Sequence, residues 1–294
     1  MNTLSPPTTA VGSLRAMAAI EARRMARQPL FLIGVVLSFV VLGAFLAGTS
    51  EEVVPDVLTL PVLGAFYIGL ASLLAAARVT GSTDVSLEAM NTVPETEARR
   101  TLALAGVAVP PFVAGLVFSG VVVVLAQTMG VAAQEWWFAT LPDWQVWSIL
   151  LTCPAACVGG AMLGVLTARW LHFRGASVIV LVGLVVVSLV ATIAGDDSRW
   201  RLWAPWTMFG LGEESDGRPI LGAGNPAAYI GYMVALSVLA LLIAMWHDSS
   251  ARTPRLRMII VGTAAVAVAM LGLAMFTGNA HSLLSDPVPA RVQH

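Results

Sequence analysis

RVTGSTDVSLEAMNTVPETEARR, from Arg78 to Arg100, is the one polar segment of any length between the second and third apolar runs of the chain. Its reading decides the fold, because the chain on either side of it is apolar for about the length that crosses a bilayer. Asp84 or Ser86 can cap a helix N-terminus here, and Glu88 falls in the first turns, where the helix dipole favours a carboxylate. Leu87 and Met90 are three apart and share a face. Pro94 ends the helix and pushes Val93 toward extended geometry. Arg99 and Arg100 then stand at the mouth of the next apolar run. The spacing predicts a short, charged helix hung between two membrane spans, a lever that something outside the membrane can push. The alternative is an ordinary solvated loop.

Composition sets the class. Of 294 residues, 57% are hydrophobic and only 11% charged, and the mean hydropathy is +0.83. So few charges over so much apolar sequence describe an all-α, polytopic membrane protein. The net charge of -1 says little, but the basic residues say more: all 16 are Arg and none is Lys. A phosphate-binding P-loop needs its Lys to reach the nucleotide phosphates, so this chain cannot carry one. Cys153 and Cys157 lie inside an apolar run with no His, Asp or Glu beside them, and read as small packing residues rather than a metal pair.

Working outward, residues 1–12 are Ser/Pro/Thr-rich and are expected to be disordered. Residues 13–29 form a basic amphipathic helix on the membrane surface, with Leu14, Met17 and Met25 near one face and Arg15, Arg23 and Arg27 turned away. Glu21 interrupts the apolar face, and Pro29 breaks the helix from the first span. Spans are expected at Leu30 to Gly48, Val57 to Ala77, Leu102 to Gln127, Val146 to Ala168, Ala176 to Ala194, Pro226 to Trp246 and Met258 to Thr277. The first six make a transmembrane domain over residues 30–246, with the lever at 82–94 and an outer loop at 195–225. Residues 247–294 supply an inner loop, a seventh span and an outer tail. Pro61, Pro110 with Pro111, and Pro154 predict kinks in spans two, three and four.

Arg residues set the orientation. With the N-terminus inside, 12 of the 16 fall on the inner side, so the lever is cytoplasmic. Trp136, Trp137, Trp144, Trp147, Trp200, Trp203 and Trp206 then mark the outer interface, and Trp170 and Trp246 the inner one. No Asp, Glu, Lys, Arg or His falls in the middle of a span, which disfavours ion coupling, so energy must come from elsewhere. Three strings tempt. Glu213 to Arg218 spells the E-E-x-x-x-R of intramembrane CAAX-type proteases, but Gly212 and Gly217 bracket it in a loop, with His247 and His281 outside the spans. Asn225 to Tyr229 spells N-P-x-x-Y, which Asn as N-cap and Pro at the first helical position explain. Gly160 and Gly164, four apart, allow close helix packing and hint at a dimer face.

The order of parts resembles the membrane subunit of type 2 ATP-binding-cassette (ABC) exporters. Three places carry the resemblance: the surface helix IEARRMARQP at 20–29, similar to the family's elbow helix; Gly81, then Ser86 to Met90, Pro94 and Arg99 to Leu102, similar to its G-T-x-E-x-L-x-x-x-P coupling segment; and a long aromatic outer loop before the sixth span. The Gly-to-Ser spacing is longer than the family pattern, and a seventh span departs from its six-span core. The resemblance covers roughly residues 13 to 246. It implies separate ATPase subunits that bind ATP and Mg, a second permease chain, identical or related, and export of a hydrophobic substrate such as a drug, lipid or peptide across the plasma membrane. The chain itself would hold no cofactor and have no catalytic or metal site, and no nucleic-acid partner is expected. Asp84, Ser86, Leu87, Glu88, Met90, Pro94, Arg99 and Arg100 would meet the ATPase, and Glu21, Arg23, Arg24 and Arg27 would belong to the elbow. Phe66, Tyr67 and Ser72 on span two, and Ser177, Ser188 and Thr192 on span five, are the expected pathway lining. A membrane-embedded enzyme of the CAAX-protease type and a non-transporting receptor or scaffold are the competing readings.

Overall fold

The computed structural model describes residues 10–47, 59–89, 97–128, 143–173, 175–193, 199–204, 211–213, 219–221 and 224–278. Helix α1 (Ala10–Ala26) starts three residues before its expected start at Ser13. Pro29 opens α2 (Pro29–Ala47), and α3 runs Pro61–Ala89. The third span is built in three pieces: α4 (Glu97–Ala103), a 3-10 stretch (Leu104–Ala108) and α5 (Val109–Thr128). Helices α6 (Asp143–Trp170), α7 (Ala176–Ile193), α8 (Pro226–Trp246) and α9 (Pro254–Phe276) follow. A 3-10 turn (Arg199–Trp203) and an antiparallel pair of three-residue strands, β1 (Leu211–Glu213) with β2 (Pro219–Leu221), fill part of the connection before α8. The protein is an all-α, multi-pass membrane protein.

Among the described residues, six apolar helical stretches are long enough to cross a membrane, ending with Pro254–Phe276. The remaining apolar helix, α7, has 18 residues, a length of about 27 Å at 1.5 Å per residue. It is shorter than the six and does not count among them, although a span was expected there. Just before it, the Trp170 indole donates to the Ile243 carbonyl near the end of α8 (3.0 Å). Eleven residues after its end, Ala204 accepts from the Tyr229 hydroxyl near the start of α8 (2.7 Å). The segments that precede and follow α7 therefore meet opposite ends of α8.

Prolines explain where helices start and tighten. The kink expected at Pro61 is absent: Pro61 instead begins α3, because at the first helical position its missing N–H is an orphan anyway. Pro110 and Pro111 cannot bond the carbonyls four residues back, and the preceding stretch tightens to a 3-10 helix whose Gly106 carbonyl takes the Val109 N–H instead. Pro154 does lie inside α6 and frees the Leu150 carbonyl. The Ser119 hydroxyl on α5 donates to that carbonyl at 2.9 Å, so the freed group is satisfied across the helix interface.

At the centre is α6, with α3, α5, α7 and α8 packed on it, α2 on the far side of α3, and α9 on the far side of α8. Small residues make this possible. A Cβ on Gly160 would fall 2.9 Å from the Gly69 carbonyl carbon, and one on Gly164 would fall 3.0 Å from the Ala76 Cβ. The glycine pair at 160 and 164 is thus spent on α3 of the same chain and is not a free dimer face. Both cysteines are buried and free, Cys153 in the slot opened by Gly64.

One expectation about the lever is corrected. Asp84 and Ser86 do not cap a separate helix, since α3 runs through both without a break to Ala89. Extending an existing helix avoids the cost of a new nucleus, and no proline lies between Pro61 and Pro94 to stop it.

Candidate functional site

Polar side chains join distant parts of the chain at both ends of the bundle: Arg199, Asn225, Tyr229 and Tyr232 at one, and a second set at the end shared by α1, the end of α3, α4 and the end of α8. On α1, Glu21 and Met25 face inward while Arg23 is exposed, as is Arg27 just after the helix. Glu21, read from sequence as a flaw in an apolar face, holds Arg24 through its two carboxylate oxygens at 3.1 and 3.2 Å. Arg24 then donates to the Ser82 hydroxyl at 2.8 Å and ties α1 to the end of α3. The third span receives α1 through Gly106, where a Cβ would come within 2.9 Å of the Ala18 Cα.

The second tie is Asp248. It follows α8, is 7% exposed, and caps the 3-10 turn Ser249–Ala251 by accepting from the Ser250 amide at 2.8 Å. Its other oxygen accepts from the Ser250 hydroxyl at 2.8 Å and from the Ala98 amide at 3.0 Å. Ala98 is the second residue of α4, whose first N–H groups have no partner within their own helix. Burial alone would push the Asp248 carboxyl up, but both Ser250 donors, the Ala98 amide and nearby His247 hold it below the usual carboxylate value. Arg252 completes the turn, donating to the carbonyls of Trp246 at 3.1 Å and His247 at 3.3 Å. Sequence reading missed Asp248. The triplet Asp248-Ser249-Ser250 directly after an apolar run is a local turn signal, but nothing in it names Ala98.

These ties flank the lever on both sides. Asp84, Ser86, Leu87 and Glu88 lie on the last turns of α3, and Arg99 and Arg100 lie half-buried on α4. Met90 and Pro94 fall outside the described residues.

A cavity of about 250 Å³ opens between α6, α7 and α8, lined by residues that include Gly159, Leu163, Leu184, Met233, Leu236 and Ile243. Ser237 is its one polar side chain, and that hydroxyl donates to the Met233 carbonyl at 2.8 Å. The cavity therefore offers an apolar ligand shape without a free side-chain donor. None of the six residues expected to line a pathway is among its walls. Ser72 is fully buried and its hydroxyl bonds back to Ile68 at 2.6 Å. Phe66 and Tyr67 meet edge to face, centroids 5.3 Å apart. Ser177 and Ser188 are half-buried on α7, and the side chain of Thr192 falls outside the described residues.

At the opposite end, Trp144, Trp147, Trp200 and Trp203 are exposed, as an interfacial belt requires. Trp200 and Trp203 are three apart in a 3-10 turn, where such positions eclipse; Trp206, also expected at the outer interface, falls outside the described residues. Asn225 caps α8 as predicted, accepting from Ala227 at 3.0 Å and Ala228 at 3.2 Å. Glu213 of the protease-like string sits on β1 rather than on a membrane helix, and His247 lies at the other end of α8. No known family, curated protein or solved structure matches the chain.

Proposed function

We propose that the chain is the membrane permease subunit of an ATP-driven ABC exporter. It sits in the plasma membrane with its N-terminus in the cytoplasm and works with separate ATPase subunits, which bind ATP and Mg, and with a second permease chain. The observation that carries this reading is the gathering of α1, the end of α3, the start of α4 and the turn after α8 into one tied assembly around the lever. A soluble motor can deliver force to apolar spans only through such an end. The lever joins α3 directly to the centre, because α3 is continuous and packs on α6. The substrate is hydrophobic, in keeping with the apolar cavity between α6, α7 and α8.

The test is a double substitution at the apolar anchors, Leu87→Ala with Met90→Ala. Truncating buried anchors typically costs about 1 to 4 kcal/mol of binding. The variant is expected to insert normally, to lose co-purification with its ATPase subunit, and to lose substrate-stimulated ATP hydrolysis. Hydrolysis and transport at the unmodified level would remove this reading.

A further inference from the structure

The turn after α8 does more than connect two spans. Asp248 bonds the N-terminus of α4 from 150 residues away, and its two oxygens accept three hydrogen bonds, two from within its own turn and one from α4. The same turn is fixed to α8 by Arg252. His247 meets the rings of Trp170 and His172 at 5.5 Å, and the Trp170 indole holds the carbonyl of Ile243. Ile243 is a wall residue of the apolar cavity. A continuous set of bonds and ring contacts therefore runs from the first turn of α4, through Asp248, to the last turns of α8 and the cavity wall.

We propose that Asp248 is a latch that makes α4 and the inner end of α8 move as one body, so that a displacement of α4 reaches the cavity between α6, α7 and α8. Its position suits the role. A carboxylate can serve several donors at once, and a charge-assisted hydrogen bond is about twice as strong as a neutral one. In this use Asp248 is a positioning residue; it touches no substrate. The functional meaning rests on the permease reading, whereas the latch is a property of the chain alone and is tested without any ATPase.

The experiment is hydrogen exchange followed by mass spectrometry on the full-length chain in lipid nanodiscs. Two peptides are read, one covering 97–103 and one covering the last turn of α8, whose amides do not bond Asp248. In Asp248→Ala, exchange is expected to speed up about tenfold in both peptides and to stay unchanged in α1 and α9. Asp248→Asn keeps one acceptor oxygen and is expected to show a smaller rise in the same two places. Faster exchange at 97–103 alone would reduce Asp248 to a local cap and overturn the proposal. No change in either peptide would overturn it too, as would a uniform rise across all helices. Failure of the Leu87 and Met90 test would leave this result standing, so the two readings can fall separately.

Discussion

Helices α6 and α9 are comparably apolar and of similar length, yet 72% of the α6 span is buried inside the bundle against 17% of the α9 span. Hydropathy put both in the membrane and said nothing about which lies at the centre. The difference is small residues facing backbone. On α6, Gly160 and Gly164 come up against the α3 main chain, whereas nothing lies within 4 Å of where a Cβ on Gly262 or Gly272 of α9 would stand. Lipid tails are as apolar as Leu, so a helix gains its place among other helices by close packing rather than by hydrophobicity.

The sharpest way to break this contrast is to add the same bulk to both helices. Gly160→Leu is expected to cost about 3 kcal/mol or to prevent accumulation, because the displaced atoms are backbone. Gly262→Leu is expected to stay within about 0.5 kcal/mol of the unmodified chain. Unfolding in mixed detergent, read with the yield of inserted protein, compares them; equal losses would mean that the α3–α6 contact does not set the centre.

A smaller effect is expected where α6 leans on α5. Ser119→Ala leaves the Leu150 carbonyl without its donor in a dry interface, at a cost of roughly 1 to 3 kcal/mol. Pro154→Ala returns a backbone N–H to that carbonyl, so in its background the Ser119 substitution should cost clearly less. A double-mutant cycle on unfolding free energies measures the coupling, and strict additivity would show that the hydroxyl and the proline act independently.

The smallest expected effect lies beyond the packed spans, where capping replaces close packing. The Asp248 carboxyl is held below its usual value of 3.8. A carboxylate with a depressed folded value adds stability at higher pH and loses it as the pH falls through that folded value. Stability should therefore drop on acidification below about pH 4, and Asp248→Asn should flatten that limb of the curve. Thermal unfolding at stepped pH checks the slope. An unchanged slope in the variant would place the acid sensitivity elsewhere.

Much of the fold was legible. Long apolar runs located six of the seven expected spans, though α3 runs twelve residues past the expected end at Ala77 and α7 is shorter than the others, and Asn225-Pro226 announced its cap correctly because both partners lie within three residues. The break at Pro29 was local in the same way. What could not be read depends on chain that has already folded or on residues far away. Asp84 and Ser86 carry capping chemistry, but a helix that arrives intact from Pro61 has no use for a cap. Gly160 and Gly164 advertise a close neighbour without saying whether it is α3 or a second molecule. Asp248 signals a turn, while its partner Ala98 belongs to another span. Apolar periodicity could not foretell the cavity, since its walls come from three helices.

The pairing of α3 with α6 has a consequence for synthesis. About eighty residues separate the end of α3 at Ala89 from the end of α6 at Trp170. At a ribosomal rate of about 5 to 20 residues per second, several seconds pass before the partner helix is complete. Throughout that interval the small-residue face of α3 waits against lipid or insertion machinery, with α2 the first helix available to cover part of it. The nascent chain is therefore most exposed to wrong partners during one defined window, which closes when α6 enters the bilayer.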